Sequence, residues 1–140
     1  MLRRLATAAL ATALLGIGVP ATATAAPGSD GSEEASCAFT LSPPYRAQVS
    51  GVDVVTATVT VFPCTGSSVP GVATACVQLQ GSDAAPVCAQ QYSKVGPAQP
   101  YLTPYVPGTY VSTGKGCTNL VGATSPGAQC QALGPSTAAL

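Results

Sequence analysis

"VDVVTATVTVF", residues 52–62, alternates on a period of two. Val52, Val54, Thr56, Thr58, Thr60 and Phe62 fall on one face of an extended chain. Asp53, Val55, Ala57, Val59 and Val61 fall on the other, because successive strand side chains point to opposite sides. Most of these residues are β-branched. Such side chains are stiff at χ1 and fit a pleated surface better than a helix. The second face is the more continuously apolar and is expected to point inward. The run therefore reads as one long strand.

Shorter strands flank it. "CAFTL" alternates Cys37, Phe39 and Leu41 against Ala38 and Thr40, and Pro43-Pro44 stops it. "YRAQVSG" is a second extended piece. "PCTGSSVPG" reads as a loop. "TACVQLQGSDAAPVCAQQY" has the form of a hairpin, with "GSDAAP" as its connection. Residues 96–108, "GPAQPYLTPYVPG", hold four prolines and cannot lie inside a sheet. They lead to the strand "TYVST". The remainder is weakly patterned and turn-rich, with room for one or two short strands, and no segment sustains a helical period. Several short strands separated by Gly, Pro and Ser turns predict an all-β fold, a small disulfide-bonded immunoglobulin-like β-sandwich. There is no tryptophan, so Val, Leu, Phe and Tyr must fill its core.

The N-terminal end has the form of a secretory signal: Arg3 and Arg4, an uncharged apolar run from Leu5 to Val19, Pro20, then "ATATAA". Cleavage is expected after Ala25, making residues 1–25 a signal peptide. Residues 26–36, small and acidic, are expected to be a flexible leader, 37–134 one β-sandwich domain, and 135–140 a flexible tail. The first cysteine lies too far from the apolar run for lipid attachment, and no stable membrane anchor is expected. After residue 25 there are three basic residues (Arg46, Lys94, Lys115) against five acidic ones, a net charge of −2. So little positive charge argues against nucleic acid and anionic membrane surfaces as partners.

Six cysteines follow the signal: Cys37, Cys64, Cys76, Cys88, Cys117 and Cys130. An even number in an exported chain reads as three disulfides. A zinc site would want close pairs such as C-x₂-C; here the nearest neighbours are twelve residues apart and histidine is absent. Six cysteines allow about fifteen pairings. The favoured one joins sequence neighbours, which would staple a meander locally: Cys37–Cys64, Cys76–Cys88 and Cys117–Cys130. The Cys76–Cys88 bridge would cross the hairpin.

Chemistry is scarce. "PGTYVSTGKGC", residues 107–117, has a Gly-Lys-Gly, but its spacing departs from a phosphate-binding loop, and Gly116 stands where Ser or Thr would bind magnesium. It reads instead as a scaffold corner, with Tyr110 placed to donate its hydroxyl to a nearby carbonyl. Hydrolases of the Ser-His-Asp or Cys-His kind need an imidazole, which is missing. Past the leader only Asp53 and Asp83 remain as carboxylates, too few placed acids for glycoside hydrolysis. A serine with Lys94 or Lys115 as base is the remaining catalytic option. No cofactor or metal is expected. Tyr92, Tyr101, Tyr105 and Tyr110 cluster in sequence and form the candidate binding surface, for a protein partner or for the sugar rings of a cell-wall glycan.

The leader-like segment "LRRLATAALATALLGIGVPATATAA" and "TATVTVFPC" resemble small exported proteins of actinobacteria, mycobacteria included. "TATVT" and the composition are also similar to the enediyne-binding apoproteins of the neocarzinostatin type, which are exported and immunoglobulin-like. Their four-cysteine pattern differs from the six cysteines here, and no binding residue carries over. The signal, the six cysteines and the missing imidazole point to an exported β-sandwich without catalysis, acting as a binding or interaction protein of the envelope or extracellular space. The alternative, implied by the second resemblance, is a carrier of a small apolar ligand in a sandwich cleft.

Overall fold

A computed structural model describes residues 36–92, 96–122 and 128–140. The expected signal peptide of 1–25, all of the expected leader except Ser36, and Lys94 lie outside the described residues. Among the described residues nine strands follow in order: β1 (Phe39–Leu41), β2 (Tyr45–Val49), β3 (Val52–Thr56), β4 (Val59–Val61), β5 (Ser68–Leu79), β6 (Val87–Tyr92), β7 (Tyr101–Leu102), β8 (Thr109–Leu120) and β9 (Gln129–Ala139). The described residues are all-β. They form a four-stranded sheet, β6-β5-β8-β9, a three-stranded sheet, β2-β3-β7, and a β1-β4 pair.

The run 52–62 is not one uninterrupted strand. It breaks at Ala57–Thr58 into β3 and β4, which pair with different neighbours. Ser42 organises the break: its N–H donates to the Thr58 carbonyl at 2.9 Å, and its hydroxyl accepts from the Thr58 N–H at 2.9 Å. Backbone groups freed by the bend thus remain paired, as buried backbone requires. Phe39 lies opposite Val61 and Tyr45 opposite Thr56, so residues 39–49 and 52–61 form one long antiparallel hairpin with a kink. Its turn is Ser50-Gly51, with φ of 52° and 80°, the positive pair that a two-residue hairpin connection demands. On the hairpin's far side, Val55 faces Leu102 and Val59 bridges Ala98 in one continuous register.

Alternation predicts the inward face only in part. Val55, Ala57 and Val59 are fully buried, as expected. Val54 and Thr56, on the opposite face, are buried as well. The bent hairpin packs on the four-stranded sheet through two clusters. Phe39 and Val59 meet Ala73 and Ala75; Val55 meets Val77 and Tyr110. Most of these side chains are small, so two aromatic rings, Phe39 and Tyr110, provide much of the bulk.

The Gly-Lys-Gly segment lies within β8, whose register against β9 shifts between Ser112 and Gly114 as at a bulge. A Cβ on Gly116 would fall inside the Phe39 ring, and one on Gly114 would come within 2.7 Å of Val59 Cγ2. Glycine is present here because the opposite sheet comes within contact of the backbone. Lys115, between them, is exposed.

Three further expectations need correction. "SSVPG" is not wholly loop: β5 begins at Ser68 and carries Pro70 at a register shift, where a missing N–H is tolerated. The proline-rich segment does enter a sheet, at its edge, where Tyr101 and Leu102 pair with β3 on one side only. Residues 135–140 are not a frayed tail. Ser136 to Ala139 pair with β8, and Leu140 exchanges two backbone hydrogen bonds with Gly108 at 2.9 and 3.0 Å. A small polar segment gives no periodic signal of its own, and its order comes from β8.

The disulfides are Cys37–Cys64, Cys76–Cys88 and Cys117–Cys130, and no described cysteine is free. Cys76 stands directly opposite Cys88, and Cys117 directly opposite Cys130. Each edge strand of the four-stranded sheet is therefore tied covalently to its inner neighbour. Three disulfides belong to an oxidising compartment. Among the described residues no helix is long and apolar enough to cross a membrane.

Candidate functional site

The four tyrosines singled out by sequence do not come together. Tyr110 is 0% exposed. Its hydroxyl donates to the Val106 carbonyl at 2.6 Å and accepts from the Val106 N–H at 3.2 Å. It pins the 101–108 segment to the core, the corner role its position implied, and cannot be part of a surface. Tyr105 is half-buried beneath Arg46, whose guanidinium carbon lies 4.1 Å from the ring centroid. Arg46 also pairs with Asp53 at 2.9 Å, and Gln48 donates to the same carboxylate at 3.2 Å. That group closes the end of the sandwich. Tyr92 ends β6, 68% exposed, on the outer face of the four-stranded sheet.

Tyr101 finds a different companion. Within the three-stranded sheet, Tyr45, Thr56 and Tyr101 occupy one cross-strand row. Directly opposed residues share a face, so all three project from the side opposite Val55, a side on which Thr56 and Val54 are themselves buried. Tyr45 is 37% and Tyr101 46% exposed. Val49 and Val52, further along the same face, are exposed too. The Tyr45 hydroxyl accepts a hydrogen bond from Gln99 Nε2 at 3.1 Å. Gln99 lies two residues before Tyr101, on the far side of β3. The bond therefore crosses β3 near Thr56 and lays the Tyr45 side chain along the sheet. Thr56 Oγ1 is buried and has no hydrogen-bond partner. The charged residues Arg46 and Asp53 belong to the alternate positions of β2 and β3, on the other face. This face is neutral.

Sequence reading misses Tyr45 and Gln99. Tyr45 stands alone after Pro43-Pro44, and its pairing with Tyr101 depends on the register of three strands. The only available signal is a tyrosine opening a short polar strand.

Two of the recesses lie away from this face. One, of about 510 Å³, lies on the outer side of the four-stranded sheet beside Tyr92, Val72, Asn119 and the Cys117–Cys130 bridge. The other, of about 220 Å³, lies between the β5–β6 turn and residues 102–106. In register, Lys115 stands between Thr74 and Ala132, with no serine opposite it. Among the described residues no three His, Cys, Asp or Glu side chains gather as metal ligands do.

No protein-family description, no curated protein and no solved structure matches this chain.

Proposed function

We propose that the chain is a non-catalytic binding module of the cell envelope or extracellular space, exported after removal of an N-terminal signal. Its partner is engaged through the neutral outer face of the β2-β3-β7 sheet. The observation that carries this reading is the row Tyr45–Thr56–Tyr101: two exposed aromatic side chains on a rigid sheet, beside an apolar Val49–Val52 strip. Tyrosine offers large contact area with few rotors to immobilise, which is why it recurs at binding surfaces. Three disulfides, the absence of histidine and a carboxylate already paired with Arg46 support a scaffold over a catalyst. The likeness to small exported actinobacterial proteins agrees with it.

The test compares the purified oxidised chain with a Tyr45→Ala/Tyr101→Ala variant for retention on actinobacterial envelope material and on immobilised culture-fluid proteins. The wild type is expected to be retained and the variant to lose at least about tenfold, equivalent to about 1.4 kcal/mol, at an unchanged melting temperature. Equal retention of both proteins, or none of the wild type, overturns the reading.

The recess beside Tyr92 favours a second reading, carriage of a small apolar ligand. Its volume, about 510 Å³, lies within the range of small-molecule sites. Tyr92→Ala would abolish uptake of an apolar dye under this reading, whereas Tyr101→Ala would not.

A further inference from the structure

The tyrosine row has a chemistry that selects among partners, and its assignment to one ligand class rests on the binding role proposed for this face. Its exposed groups are two phenol rings and one carboxamide; its middle residue, Thr56, holds one buried, unpaired hydroxyl. Gln99 spends its amide nitrogen on Tyr45, and no described group donates to its carboxamide oxygen. The Tyr45–Gln99 bond is itself on the surface, so water competes with it and it opens at little cost. Thr56 is the reverse case: buried groups of its kind are nearly always hydrogen-bonded, and this one is not. A ligand suited to the row brings apolar ring faces for the tyrosines and a rim of hydroxyls for Gln99 and Thr56. It carries no charge, because no charged residue shares the face.

We infer that the row is a subsite for a neutral, gluco-configured pyranose of an oligosaccharide. Equatorial hydroxyls leave both ring faces of such a sugar apolar, able to stack on Tyr101 and on the Tyr45 ring. Its rim hydroxyls replace the Tyr45–Gln99 bond, pairing with the freed carboxamide and with Thr56. A protein partner fits less well. A stable interface takes roughly 800 Å² from each side, whereas this face offers two rings, one amide and the short Val49–Val52 strip. An anionic polymer would find no cation on the face.

Backbone amide resonances of the oxidised full-length chain, followed while cellotriose, chitotriose or mannotriose is added, test the inference. Saturable shifts confined to Tyr45, Thr56, Gln99 and Tyr101 are expected with the first two sugars. Mannotriose, with its axial hydroxyl, is expected to bind more weakly. Gln99→Ala and Tyr101→Ala should each raise Kd at least about tenfold at unchanged melting temperature. Thr56→Val should weaken binding while leaving the melting temperature at or above that of the wild type, which a purely structural threonine would not do. Absence of shifts on this face at millimolar sugar overturns the inference, as do shifts centred on Tyr92. If sugars shift nothing but the Tyr45→Ala/Tyr101→Ala variant still loses envelope retention, the glycan assignment falls and the binding reading stands. If retention is also unaffected, both fall.

Discussion

In the four-stranded sheet each edge strand is tied by sulfur to its inner neighbour, β6 through Cys76–Cys88 and β9 through Cys117–Cys130. The β2-β3-β7 sheet has no such tie. It is held by valines, a two-residue turn and one exposed ion pair, and it carries the exposed pair Tyr45 and Tyr101. Under the β1-β4 pair the inward side of the tied sheet is built from Ala73, Ala75, Gly114 and Gly116, residues that contribute little bulk to a core, while Val77 and Tyr110 supply its bulk under Val55. Crosslinks stand in for apolar volume in the one sheet. In the other, large side chains are left at the surface, where they stabilise the fold least and contact a partner best.

The strongest way to break this contrast is to fill the tied sheet. Gly116→Val drives a side chain into the Phe39 ring and is expected to destabilise by more than about 3 kcal/mol. Val52→Thr, on the exposed face, should stay within about 0.5 kcal/mol. Urea unfolding of both decides whether small residues are required where the sheets meet. Tyr110→Phe removes both hydroxyl hydrogen bonds to Val106 and should lower stability by about 1–2 kcal/mol. The loss should appear as faster amide exchange in residues 101–108, which that hydroxyl anchors.

Smaller effects sharpen the description of the tyrosine face. Thr56→Val replaces an unpaired buried hydroxyl by a methyl group of similar shape. It is expected to raise stability by up to about 1–2 kcal/mol, measured by thermal melting. A loss would mean that the hydroxyl has a partner in solution. Asp53→Asn breaks an exposed ion pair and should change stability by less than about 1 kcal/mol, with the salt dependence of the melt reduced.

The crosslinked sheet is easier to read from sequence than the tyrosine face, for physical reasons. Cys76 and Cys88 flank a short turn, so proximity in sequence is proximity in space. The same holds for Cys117 and Cys130. Tyr110 can be assigned to a corner because its hydroxyl partner, Val106, is only four residues away. The bend at Ala57–Thr58 leaves no mark, because the alternation continues through it and the bend depends on Ser42, outside the run. Order in residues 136–139 comes from pairing with Tyr110 to Ser112 and Thr109. The tyrosine face requires Tyr45, Thr56 and Tyr101 to fall in register, and no single segment contains that information.

On this account, sulfur bridges hold a thinly packed sandwich together and leave one sheet free to bind. Loops of 27, 12 and 13 residues are closed by the three bridges. Each contributes about 3 kcal/mol by constraining the unfolded chain. Together that is comparable to the roughly 5–15 kcal/mol of net stability available to a domain. Thermal unfolding with and without a thiol reductant tests this most directly. A cooperative melt that disappears or moves far down on reduction is the predicted result; a cooperative melt at the same Tm, with all six thiols shown to be free by alkylation, would contradict it.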